Sequence, residues 1–127
     1  MRRAVLRLLA PLVFLCLCGL TAAAGADAPG GKTAAPVEVH LSEYAVKMPQ
    51  TLPAGPTTFL VHNDGLKIHS FKIEGPGIDQ LLSAPVEPKA TGTLTVALQA
   101  GEYKIYCPIS SHAAKGMTTK LVVTANK

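Results

Sequence analysis

Cysteine is scarce in this 127-residue sequence, which contains only three, at positions 16, 18 and 107. The first two lie in an N-terminal segment with the pattern of an export leader, so a processed chain would retain Cys107 alone. A disulfide framework within one such chain is excluded. A single thiol in an oxidising compartment is prone to oxidation or dimerisation unless it is buried or bound to a metal. The scarcity of cysteine therefore directs attention to the surroundings of Cys107.

The leader follows the order of a secretory signal peptide. Three arginines within the first seven residues precede an apolar run at positions 8–20, and the small residues TAAAGADA follow, with Ala24-Gly25-Ala26 as the candidate cleavage site. An uncleaved anchor is the alternative, because the uncharged stretch at positions 8–26 is about as long as a membrane span. Pro11 and the small-residue tail favour cleavage. We expect residues 1–26 to be a signal peptide that directs the protein to the periplasm.

The sequence also lacks an excess of charge of either sign once the leader is set aside. The formal net charge of the sequence is +4, but its three arginines all lie in the leader. From position 27 onward, nine lysines face eight acidic residues, so the net charge is about +1. A chain so nearly neutral gives no indication of a nucleic-acid partner.

The sequence also lacks internal repeats, long low-complexity segments and, after the leader, any convincing helical period. Residues 27–36 are rich in Gly, Ala and Pro, and we expect a flexible lead-in there. Residues 37–127 suffice for one modest domain. Short alternating apolar runs, separated by turn residues, predict that this domain is an all-β sandwich or barrel. The runs lie at positions 37–41, 59–62, 69–74, 93–98, 103–107 and 118–123. Between them, the proline-rich positions 75–89 predict a long loop with one helical turn.

Alternation along each predicted strand assigns side chains to opposite faces of the sheet. His69, Cys107 and Met117 share their parity with the apolar residues of their strands, so we expect them to face inward. His40 and His62 take the opposite parity, and we expect them to be solvated surface histidines.

The segment YCPISSHAAKGM, at positions 106–117, places Cys107, His112 and Met117 at equal intervals between two strands predicted to be neighbours. Each residue alone is a weak signal, because buried Cys and Met commonly fill cores. Together, and with His69 arriving after the turn residues NDG, they provide two imidazoles, a thiolate and a weak axial thioether. That is the ligand set of a blue-copper electron-transfer site. Structural zinc would favour more thiolates and no methionine.

The motif YCPISSHAAKGM, the strand TTKLVV after it and the upstream NDGLKIHSF resemble the cupredoxins, the small blue copper proteins that include plastocyanin, azurin, auracyanin and rusticyanin. The resemblance covers nearly the whole chain after the leader. It implies a Greek-key β-sandwich of about eight strands with one copper ion near one end, cycling between Cu(I) and Cu(II). It implies that His69, Cys107 and His112 are the strong ligands and Met117 the axial ligand.

The resemblance also implies how the protein would work. The exposed edge of His112 would be the electron port, and redox proteins would dock there transiently to a monomer that is not itself an enzyme. Small or apolar residues are expected around this port, namely Leu66, Pro108, Ile109, Ala113 and Ala114. Lys115 would bias the choice of partner towards acidic surfaces, although a solvated loop lysine is an equally good interpretation.

Two positions depart from the family pattern. Ser70 follows the first histidine where many relatives carry an asparagine that ties the two ligand loops together, and Ser111 precedes His112 where glycine is frequent. Residues around the ligands orient them and tune the metal, so the departures bear on redox potential and rigidity more than on copper binding.

Three other functions remain open from the sequence. The first is a periplasmic copper carrier or copper-resistance protein that uses the same ligands without electron transfer. The second is a thiol enzyme built on Cys107 and His112, against which stand the inward cysteine and an unexplained Met117. The third is a metal-free binding module, which would leave four ligand-type residues to coincidence.

Overall fold

A computed structural model of the protein describes residues 34–127. The predicted signal peptide and positions 27–33 of the predicted lead-in lie outside the described residues. Within them, no helix is long and apolar enough to cross a membrane. The described part consists of nine strands and a single turn of 3₁₀ helix at Ala113–Lys115. The strands are β1 (Val37–Ser42), β2 (Ala45–Lys47), β3 (Thr51–Pro53), β4 (Gly55–Asn63), β5 (Lys72–Gly75), β6 (Ile78–Leu81), β7 (Thr91–Leu98), β8 (Gly101–Tyr106) and β9 (Thr118–Thr124).

The strands form two sheets that face each other across an apolar core. One sheet has the order β2-β1-β4-β7 and the other the order β3-β9-β8-β5-β6. Most neighbours are antiparallel, but β1 runs parallel to β4 and β3 runs parallel to β9. The all-β sandwich that the alternating runs predict is therefore confirmed, with nine strands instead of about eight.

Parity predicts the core correctly along the strands. In β4, Phe59 and Val61 are buried, and β9 buries Leu121 and Val123 in the same alternating fashion. The rings of Phe59 and Phe71 meet in the core with centroids 5.3 Å apart. The two inner faces therefore interdigitate, as expected of packed sheets.

The expectation of a long loop with a helical turn at positions 75–89 is wrong. Strand β6 lies within that segment and pairs with β5 as an antiparallel hairpin, closed by a turn at Pro76 and Gly77. Gly77 has φ of 71°, in the left-handed region that glycine tolerates without a steric penalty. Because β6 is an edge strand with mostly exposed side chains, it carries no apolar alternation that would have predicted a strand.

Strand β5 also starts later than the run at 69–74 predicts. It begins at Lys72, and His69 instead forms an isolated antiparallel bridge with Val86. This bridge holds the residues before β5 against the long connection between β6 and β7. The consequence is that His69 lies at the same end of the sandwich as the end of β8 and the beginning of β9, where Tyr106 pairs with both Lys72 and Thr118.

Candidate metal centre

Two of the predicted ligands are set by the β8–β9 pair. Cys107 directly follows β8 and Met117 directly precedes β9, and both side chains are fully buried. The backbone N–H of Cys107 donates a hydrogen bond of 3.1 Å to the Met117 carbonyl. The ladder thus extends by one rung beyond the strands, and the loop between these residues is fixed at both ends.

His112 lies in the middle of that loop, immediately before the 3₁₀ turn Ala113–Lys115. The backbone takes positive φ at Ser110 (49°) and at Gly116 (107°), so the chain reverses sharply on each side of the turn. The His112 carbonyl accepts a hydrogen bond of 3.1 Å from the Met117 N–H. The imidazole is therefore directed inward by a compact loop, and only 9% of the residue remains exposed.

His69 enters from the opposite side, between β4 and β5. Its backbone exchanges two hydrogen bonds with Val86, of 3.1 and 2.7 Å. The buried side chain of Asn63 supports this arrangement, because its Nδ2 donates to the carbonyls of Lys67 (2.7 Å) and Val86 (2.8 Å). Sequence reasoning treated Asn63 only as a turn residue. Its inward parity with Phe59 and Val61 was the signal that a buried polar anchor stood there.

The structure brings together three of the four predicted ligands. One ligand-type atom from each of His69, Cys107 and His112 lies within 4.8 Å of the others, and all three residues are buried. Cys107 Sγ is 3.6 Å from His112 Nδ1, and the two imidazole centroids are 5.1 Å apart. The fourth, Met117, is fully buried and bonded through its backbone to both Cys107 and His112.

The spacing of these atoms fits a shared metal. Metal–sulfur and metal–nitrogen bonds of about 2.3 and 2.0–2.1 Å at a tetrahedral angle separate S and N by about 3.6 Å. The observed 3.6 Å between Cys107 Sγ and His112 Nδ1 matches that value. A thiol and an imidazole at this distance also form at best a weak hydrogen bond, so the contact does not satisfy either group fully.

The stronger indication comes from His69. Both of its ring nitrogens are buried, and neither has a hydrogen-bond partner among residues 34–127. An unpartnered buried polar atom costs about 1–3 kcal/mol, and such groups are rare in folded proteins. Burial, and then the neighbouring His112, lowers the pKa of His69 below its ordinary value. The neutral imidazole that results is the form that binds a metal, so these residues fit a copper ion of the kind that the sequence predicts.

The main chain completes the surroundings of the thiol. The backbone N–H of Ser70 donates to Cys107 Sγ at 3.4 Å. An N–H donor stabilises a thiolate whatever side chain its residue carries. The departure at Ser70 from the asparagine of many cupredoxins therefore leaves this link between the two ligand segments in place.

The two remaining histidines lie elsewhere. His40 and His62 are neighbours on the outer face of β1 and β4, as parity predicts. His40 Nδ1 lies 2.8 Å from Asp64 Oδ2, and His62 bonds to Glu38 through Nε2 and to Thr91 through Nδ1. Their expected place on the surface is confirmed.

Known proteins share the fold of the described residues. Residues 83–127 match the family model of the sulfocyanin (SoxE) domain. The described structure superimposes on a dithionite-reduced auracyanin from the photosynthetic bacterium Roseiflexus castenholzii with a TM-score of 0.54 and 21% identity, covering 68% of this chain and 94% of that one. The described residues have the cupredoxin fold.

Further solved structures have a similar fold. Auracyanin B gives a TM-score of 0.61 at 18% identity over 70% of this chain and 88% of that one. Amicyanin from Paracoccus versutus gives 0.52 at 23% identity over 78% and 87%. A multicopper oxidase from Pediococcus acidilactici also matches (TM-score 0.58, 15% identity, 79% of this chain), but this chain covers only 28% of that one. No curated protein matches the sequence.

Two residues beside the candidate site were missed by sequence reasoning. Glu43 and Tyr44 form the turn between β1 and β2, and Tyr44 has φ of 61°. The Tyr44 ring meets the His112 ring edge-on, with centroids 5.5 Å apart. The Glu43 carboxylate reaches to 3.9 Å from His69 Nε2. No local pattern marks a turn residue as a neighbour of histidines 26 and 68 positions away, because both contacts depend on how distant segments pack in the fold.

Proposed function

We propose that this protein is a cupredoxin, an exported blue copper protein that carries single electrons between redox partners, with one type 1 copper ion bound by His69, Cys107, His112 and Met117. The observation that carries the proposal is the buried His69 ring, without a partner in the described chain, beside Cys107 Sγ and His112 Nδ1. Copper, when bound, would supply the one-electron Cu(II)/Cu(I) couple, and this set of soft and borderline ligands suits both states.

The chain's own contribution is to hold the ligands rigidly and keep water away. The loop between Cys107 and Met117 is closed by backbone hydrogen bonds, and the His69 segment is tied to Val86 and Asn63. Ligand side chains supported in this way need not rearrange when the charge of the site changes. Small rearrangement favours fast one-electron exchange, whereas a carrier that delivers copper needs a site that opens.

We place the docking surface for redox partners around His112. Leu66 and Ile68, exposed by 79% and 42%, lie on either side of Lys67, whose Nζ contacts the Tyr44 hydroxyl beside His112. Ile109, three positions before His112, is partly buried. An exposed apolar patch of modest size suits brief docking rather than a permanent complex. Electrons would then cross at the edge of His112, which the resemblance to cupredoxins implies is the electron port.

A basic pair borders this surface. Lys67 Nζ and Lys115 Nζ each lie 3.4 Å from the Tyr44 hydroxyl, whose ring packs against His112. Hydrogen bonds from Lys67, then Lys115, lower the pKa of Tyr44 below its ordinary value. The two ammonium groups beside the Tyr44 hydroxyl concentrate positive charge at the edge of the docking surface. We therefore expect the partner to present acidic groups there, because complementary charges favour docking.

The test of the proposal is the visible absorption spectrum of the full chain after addition of Cu(II). We expect an intense thiolate-to-copper charge-transfer band that disappears on reduction and returns on reoxidation. The variant Cys107→Ser, which removes the thiolate, should lack the band, whereas His62→Gln should retain it. A colourless protein would refute the proposal. A blue protein that gives up its copper readily to a chelator and does not cycle would favour a copper carrier.

Export is tested separately by the mass of the protein recovered from the producing cells. A chain that begins at Asp27 and appears in the periplasmic fraction is expected from the leader pattern. A full-length chain in the membrane fraction would favour the uncleaved anchor instead.

A further inference from the structure

We propose that the Glu43 carboxylate is a positioning residue for His69, accepting a hydrogen bond from its Nε2–H when Nδ1 binds the metal, and so favouring Cu(II) over Cu(I). The inference rests on the proposed function, because it takes His69 as a ligand. It adds a negatively charged residue that lowers the redox potential, contributed by the turn between β1 and β2.

The first support is the anchoring of Glu43. Its Oε1 accepts hydrogen bonds from two successive backbone N–H groups, those of Leu66 (2.5 Å) and Lys67 (3.2 Å). The carboxylate is thus held in place on the segment that leads to His69.

The second support is the space made for this carboxylate. A Cβ at Gly65 would lie 2.6 Å from Glu43 Oε1 and 3.1 Å from its Cδ and Oε2. Carbon and oxygen cannot approach so closely without displacing one of them. Gly65 therefore permits a close approach that any other residue would obstruct.

The third support comes from His69 itself. Its Nε2 is buried, lacks a hydrogen-bond partner among residues 34–127 and lies 3.9 Å from Glu43 Oε1. A shift of about 1 Å brings this pair to the usual N–H···O distance of about 2.9 Å. Since Nε2 faces Glu43, Nδ1 is the nitrogen left for the metal, and metal binding at Nδ1 places the ring proton on Nε2.

The chemical consequence follows from how ligand histidines behave. A carboxylate that accepts the distal N–H fixes the tautomer and ring orientation and raises the basicity of the ligating nitrogen. A more basic ligand beside a fixed negative charge stabilises the higher charge of Cu(II). The Cu(II)/Cu(I) potential should therefore fall in proportion to the strength of the Glu43–His69 contact.

The experiment compares Glu43→Gln with the wild type in the full, copper-loaded chain. Glutamine keeps an oxygen for the Leu66 and Lys67 N–H groups but removes the charge. Loss of such an outer contact typically weakens metal binding by about 10–100-fold. We expect the affinity for Cu(II) to fall about tenfold relative to Cu(I), which for a one-electron couple is a rise of about 59 mV in midpoint potential.

Two further variants make the comparison specific. Glu38→Gln is the matched control, because Glu38 contacts His62, a histidine outside the metal centre. The midpoint potential of the Glu38→Gln variant should equal that of the wild type. Gly65→Ala should raise the potential as Glu43→Gln does, since its Cβ displaces the carboxylate. Thermal unfolding of the metal-free variants measures any loss of stability separately.

The outcomes separate the two proposals. If the wild type binds copper with its charge-transfer band and Glu43→Gln has an unchanged potential, Glu43 serves only to anchor the turn, and this inference is overturned while the proposed function stands. If the wild type binds no copper, both fall together. A raised potential in Glu43→Gln, with Glu38→Gln unchanged, supports both.

Discussion

Two pairs of histidine rings in this molecule lie at almost the same separation, with centroids 5.0 Å apart for His40 and His62 and 5.1 Å apart for His69 and His112. The pairs differ in their ring orientation and in their burial. The outer rings stack at 24° on the surface of one sheet, whereas the inner rings meet at 61° in the interior. Proximity of two imidazoles therefore does not by itself indicate a metal centre.

Hydrogen bonding is what distinguishes the pairs. The outer histidines contact Asp64, Glu38 and Thr91. Among the described residues, the inner His69 has no such partner, and the atom near His112 Nδ1 is a thiol sulfur. A folded chain seldom leaves buried polar atoms unpaired. The unpaired ring nitrogens of His69 therefore favour a bound ligand at this position.

Copper loading is the largest effect that separates the two pairs. A ligand at a free concentration about 1,000 times its dissociation constant stabilises the folded state by up to about 4.1 kcal/mol, and binding to the unfolded chain reduces that gain. We expect the midpoint of thermal unfolding to rise accordingly with Cu(I) and to fall back on chelation. Differential scanning calorimetry with and without a Cu(I) chelator measures the change, and an unaltered midpoint would contradict ligation by the inner pair.

The second effect is the loss of copper affinity when one histidine of each pair is replaced. Loss of an outer contact costs about 10–100-fold in metal affinity, so loss of a ligand should cost at least about 100-fold. We expect that penalty for His69→Gln. His62→Gln should bind copper like the wild type and lose at most about 1 kcal/mol of stability, because its partners are exposed. Competition with a chelator of known affinity gives both values, and equal affinities would remove the distinction between the pairs.

The third and smallest effect concerns Met117, the predicted axial ligand. Met117→Leu conserves volume, so it should cost less than about 1.5 kcal/mol of stability. Copper should stay bound by the two histidines and Cys107. The axial ligand tunes the potential of such sites, and losing a thioether should raise it. Voltammetry and the charge-transfer band are the readouts, and a potential and spectrum identical to those of the wild type would show that Met117 only fills the core.

Much of this arrangement was predictable because strand parity is a local property. Alternation placed His69, Cys107 and Met117 inward and both outer histidines outward, without any knowledge of the fold. His112 lies in a loop, where parity says nothing, and its inward orientation depends on the left-handed backbone at Ser110 and Gly116.

What the sequence could not provide is the set of contacts between distant segments. Glu43 approaches His69 across 26 positions, and Asn63 anchors Val86 across 23 positions. Strand β6 was missed for a related reason, since an exposed edge strand is defined by its backbone partner β5 and not by an apolar pattern of its own.

The spacing of the ligands along the chain has a consequence for how the protein would be assembled. Three of the four predicted ligands fall within the eleven residues from Cys107 to Met117, while His69 lies 38 positions before Cys107. An unfolded chain therefore keeps three copper-binding groups within reach of one another, since closing so short a loop costs little entropy. Under the proposed ligation, copper that meets the chain before folding would be held first by this segment. Completion of the sandwich would then deliver His69, and the metal would cross-link two segments of the chain that were still independent when it arrived.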